Sequence, residues 1–61
     1  MVTQAERERK YKNHYHTYKA FKDSKHKKYK HKARQALRYM QQYSGHYGEW
    51  GRKLRKQVDG R

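Results

Sequence analysis

The sequence predicts an all-α protein: a helical hairpin over about residues 4–22 and 24–44, with a short third helix over about 49–58. Three observations lead there. Aromatic and apolar side chains recur at three- and four-residue steps in each segment. No alternating run rich in Val, Ile or Thr signals a strand. No Pro interrupts the chain, and its four Gly all fall from residue 45 onward. The 61 residues suit one small domain, 1–61, that buries only about 60% of its unfolded surface.

The first helix opens at a capping box, Thr3 followed by Glu6, in which each side chain satisfies a free backbone N–H of the other. Tyr11, His14, Tyr15, Tyr18 and Phe21 then share one face. Asp23-Ser24 is the break before the second helix, and either side chain can cap it. In that helix His26, Tyr29, Ala33, Ala36, Leu37, Met40 and Tyr43 repeat at helical steps. Ser44-Gly45 stops it, with Gly suited to a left-handed backbone. In the third, Tyr47, Trp50, Leu54 and Val58 align, although Gly48 and Gly51 each cost about 1 kcal/mol against Ala in a helix interior. The core this provides is aromatic and thin, with seven Tyr and one Trp but only two Leu, two Val and no Ile.

Charge carries the functional reading. Eighteen Lys and Arg stand against five Asp and Glu, a formal net charge of +13. No carboxylate occurs between Asp23 and Glu49. Such self-repulsion calls for a polyanion or an acidic partner surface. Lys27, His31, Arg34 and Arg38, at i, i+4, i+7 and i+11, form a stripe on the second helix opposite Leu37 and Met40. Lys28, Lys30 and Lys32 widen it, and Arg52, Lys53, Arg55 and Lys56 form a second cluster around Leu54. Counterion release from phosphates is the chemistry this pattern suits. Tyr39 falls off the Leu37 face and, with Tyr47 and Trp50, is a candidate stacking or interface residue, since basic and aromatic residues together bind strands and stack bases.

These features predict a nucleic-acid-binding protein, of RNA or DNA, with mainly sequence-independent contacts; ribosome, nucleoid and virion settings all fit. The alternative is a small phage-type inhibitor or adaptor that docks on an acidic protein surface, such as a CRISPR effector or an RNA polymerase. Its hot spots would be Trp50, Tyr47, Tyr39 and Arg38. A core this small also leaves room for self-association, so a homo-oligomer is an open possibility. No apolar run approaches the roughly 20 residues of a membrane span, and the N-terminus lacks the features of a secretory signal. The expected setting is therefore intracellular, cytoplasmic or nucleoid, or packaged in a virion.

Catalysis and cofactors find little support. No two of the five carboxylates form an evident acid/base pair, and Ser24 and Ser44 lack a nucleophile context. The chain has no Cys, and His14-x-His16 points to two sides of a helix, so no metal site is expected. The overlapping G-x-x-G steps of residues 45–51 could let amides approach phosphates, as a KH loop does, but a plain interhelical loop is the simpler reading. In outline, the turn 44–48 ahead of a basic last helix resembles helix-turn-helix modules over residues 26–58. No motif specific to a family is present.

Overall fold

A computed structural model describes residues 2–60. It is all-helical: α1 spans Gln4–Phe21, α2 Lys27–Gln41 and α3 Glu49–Asp59. Helix α1 starts where its cap demands, with the Glu6 N–H donating to Thr3 Oγ1 at 3.2 Å. Helices α1 and α2 run antiparallel, so Tyr18 and Lys22 share a groove with Lys30 and Arg34 while the His14 ring meets Tyr39. Helix α3 lies on α1 and runs in the same direction. Trp50 at its start meets Tyr11, with ring centroids 5.0 Å apart, and Asp59 at its end accepts from the Tyr15 hydroxyl at 2.9 Å.

Tyr11 is fully buried and forms the core with Met40 and Leu54. Tyr15, Tyr18, Tyr43 and Trp50 pack around them. The rings meet edge to face, Tyr11 against Tyr43 at 80° and against Trp50 at 65°, a geometry that aligns positive ring edges with negative faces. Ala33 and Ala36 are buried too, and their small side chains let α2 come close to α1.

The hairpin is shorter than its sequence suggests. Helix α2 begins at Lys27, not 24, because the Ser24 hydroxyl accepts from the His26 N–H inside the turn (3.2 Å) and no side chain caps α2. It ends at Gln41, where Tyr43 N–H donates to the Met40 carbonyl and His46 N–H to that of Tyr43, so the chain leaves through tight turns. Gly45 does adopt a left-handed backbone (φ 83°), but three residues beyond the cap. Two residues expected on the buried face, His26 and Tyr29, are exposed. Helix α1 stops at Phe21, and little remains there to cover them.

The helix-turn-helix likeness does not hold. Helix α3 packs on α1, and its backbone makes no close approach to α2. Among the described residues, no helix is long and apolar enough to cross a membrane.

Candidate nucleic-acid interface

Helix α2 separates its two chemistries cleanly. Ala33, Ala36 and Met40 are buried and Leu37 half-buried towards α1, while Lys27, Lys28, Lys30, His31, Lys32, Arg34 and Arg38 are all exposed. The helix has no acidic residue in its first turn. Lys27 and Lys28 therefore sit at the positive end of its dipole, an arrangement that opposes them by about 0.3–1 kcal/mol each and that an anion would relieve. Among the described residues the one ion pair is Lys19 with Asp59, so none of these α2 cations is neutralised by a carboxylate of the fold.

The second basic cluster breaks up. Arg52, Lys53 and Lys56 are exposed on α3, a helix whose backbone has no close contact with α2; they form a patch of their own. Arg55 turns inward. Its Nη1 donates to the Tyr11 hydroxyl at 2.7 Å and to the His46 carbonyl at 2.8 Å. Counting it as a phosphate ligand is corrected by that geometry: a guanidinium with two internal acceptors holds the loop to α1. Trp50 is half-buried, its ring packed on Tyr11 and Tyr43. Tyr39 and Tyr47 remain exposed, at 43% and 77%.

Three amides of the Gly-x-x-Gly segment 45–51 are spent on its own turns. The amides of His46, Gly48 and Gly51 donate to the carbonyls of Tyr43, Gly45 and Gly45 respectively. His14 and His16 diverge: the first packs on Tyr39, the second lines a groove between α1 and α3. That groove, about 200 Å³, brings together Arg9, Lys12 and His16 beside Gln57 and Val58. The sequence reading missed this cluster. Its signal was the spacing i, i+3, i+7 on α1, overshadowed by the denser charge of α2. Among the described residues, no cluster of three His, Asp or Glu could hold a metal ion.

His46 is buried, and its Nδ1 pairs with the Tyr11 hydroxyl at 3.0 Å. Arg55 donates into that hydroxyl, and the Tyr11 proton is satisfied when it points to Nδ1 and the imidazole carries its own proton on Nε2. Burial lowers the His46 pKa from its usual 6.5, and the Arg55 guanidinium lowers it further. Burial acts in the same direction on His14, as does Lys10. The unfolded chain thus takes up protons at higher pH than the folded one. The stability these two imidazoles contribute is full above about pH 6.5 and is lost as pH drops through their depressed folded values. Thermal melts should show a lower Tm at about pH 5 than at pH 7.5, and His46→Gln, which keeps an acceptor for Tyr11, should flatten part of that slope.

On the other side of Tyr11, Asp59 joins α3 to α1. It accepts from Tyr15 and pairs with Lys19. The Lys19 and Tyr15 hydrogen bonds hold its carboxyl below the ordinary range. Burial, then Asp59 itself, pushes Tyr15 up to about 12.

No family model, curated protein or solved structure matches this chain.

Proposed function

We propose that this chain is a small nucleic-acid-binding protein that holds phosphates along the outer surface of α2 without reading base sequence. One observation carries the reading: Lys27, Lys28, Lys30, Lys32, Arg34 and Arg38 are exposed on a helix that has no carboxylate. Charge of one sign held apart by a rigid helix suits a row of phosphates, where Arg makes forked contacts and Lys acts as a point charge. Arg52, Lys53 and Lys56 supply a second, separate set of contacts. Docking on an acidic protein surface is the competing reading, and it draws on the exposed Tyr39 and Tyr47. Its expected anchor Trp50 is half-buried and packed against Tyr11 and Tyr43, which leaves less of the ring for a partner.

Fluorescence-anisotropy titration of labelled single- and double-stranded DNA and RNA, at about 50 and about 200 mM salt, tests the proposal. Six engaged phosphates should weaken binding by about 10³-fold over that range. Affinity no greater than that of polylysine at matched charge would move the reading to the protein partner.

A further inference from the structure

The phosphate reading leaves open which form of nucleic acid is bound, and it gives no role to the aromatic rings that stay exposed. Two of them belong together. On α1, His14, Thr17 and Phe21 follow at i, i+3 and i+7; on α2, Tyr29, Lys32, Ala36 and Tyr39 follow at i, i+3, i+7 and i+10. Those spacings put each set on one helix face, and the two faces meet along a seam. At one end Tyr39 packs on the His14 ring, centroids 5.0 Å apart and tilted 35°. At the other Tyr29 stacks on Phe21 at 4.9 Å and 8°, with His26 beside it at 5.3 Å. Between Tyr39 and Lys32 lies a shallow groove of about 240 Å³, floored by Ala36 and edged by Thr17 and Gln35.

We infer that a single strand of nucleic acid lies along this α1–α2 seam, with bases stacked on Tyr39 and Tyr29. The inference rests on the phosphate reading and names its substrate. Each tyrosine is held by a ring of α1 yet remains 43% and 41% exposed. Such a ring has lost its rotamer freedom before binding, so stacking a base on it costs little further ordering. The two residues lie ten positions apart, about 15 Å along α2, a distance an unstacked strand covers in a few nucleotides. A duplex cannot use them, because its bases are already paired and stacked and show a free face only at the ends.

The charge around the seam selects the same partner. Lys28 and Lys32 border it on α2, and the one carboxylate between residues 9 and 48 is Asp23, in the turn just beyond Phe21. An apolar protein segment laid there would bury those ammonium groups without partners, whereas a strand brings a phosphate for each base it stacks. Stacking on aromatic rings tolerates any base, which agrees with contacts that do not read sequence.

The test compares an oligothymidylate, an abasic oligodeoxyribose phosphate of equal length and a duplex, each titrated with the unmodified chain and with Tyr39→Leu, Tyr29→Leu and Tyr39→Phe. The thymidylate should bind about tenfold or more tighter than the abasic strand, and tighter than the duplex. Either Leu variant should lose about five- to a hundredfold for the thymidylate but leave the abasic strand unchanged, and Tyr39→Phe, which keeps the ring, should bind like the original. Equal affinity of the unmodified chain for thymidylate and abasic strands overturns the seam while leaving phosphate binding intact. So does a preference for duplex. No binding to any of the three overturns the phosphate reading and the seam with it. Because the abasic comparison uses the unmodified chain, its outcome does not depend on any variant folding.

Discussion

Gly51→Ala should remove a large share of the protein's stability and lower its Tm steeply, whereas Gly48→Ser, in the same loop-to-helix junction, should leave the Tm unchanged or slightly raised. A Cβ on Gly51 would stand 2.3 Å from the His46 carbonyl oxygen and 2.8 Å from that of Gly45. Both obstacles are backbone, and neither can swing aside. The Gly45 carbonyl already accepts from the Gly51 N–H at 2.9 Å, and the His46 carbonyl accepts from Arg55, so moving either breaks a hydrogen bond. Overpacking of this kind costs about 2–4 kcal/mol. A domain of 61 residues has about 3–9 kcal/mol of stability in total. At Gly48 a Cβ would find its nearest neighbour, the Gly45 carbonyl oxygen, at 3.7 Å, and the residue is the extended N-cap of α3. Serine there gains a capping oxygen for a free N–H and should be neutral or stabilising by a few tenths of a kcal/mol. Circular-dichroism melts of the two variants decide it; a Gly51→Ala protein as stable as Gly48→Ser would mean the junction is looser than described.

Replacing Lys27, Arg34 and Arg38 together with glutamine should separate binding from folding. If each engages one phosphate of a single strand, the slope of log affinity against log salt falls by about 2. The loss is then on the order of 500-fold at about 50 mM salt and about 30-fold at about 200 mM. Stability should move the other way. All three side chains are exposed, they repel their neighbours, and Lys27 lies at the positive end of the α2 dipole. Neutralising them should hold or raise the Tm. An unchanged salt slope would transfer the phosphate contacts to Arg52, Lys53 and Lys56 or to the groove of Arg9, Lys12 and His16.

The two predictions differ in how much of them can be read from the chain. The basic stripe is visible in the sequence because charge and helical spacing are local properties, and a helix needs only a buried face of Ala33, Ala36 and Met40 to turn the rest outward. The role of Gly51 is not visible. Its spacing with Gly45 and Gly48 resembles a loop motif, and only the approach of the 45–46 backbone explains why a helix-weakening residue stands in the first turn of α3. Arg55 is similar: in sequence it is one of four basic neighbours of Leu54, and in space it alone points at Tyr11. Its neighbours at 52, 53 and 56 fall on other sides of the same helix, so one turn of backbone divides a cluster into a structural residue and three exposed cations.

Sequence by itself determined the helices, their aromatic faces and the unbalanced charge, because each follows from residue type and a 3.6-residue period. Tertiary structure decided which aromatics are core and which are surface. Tyr11 is covered because α3 lies on α1, Tyr39 stays open because α3 leaves the other seam bare, and Tyr29 because α1 ends at Phe21. A residue's helical angle says which way it points, but burial depends on what stands opposite, and that depends on how three helices share one small core.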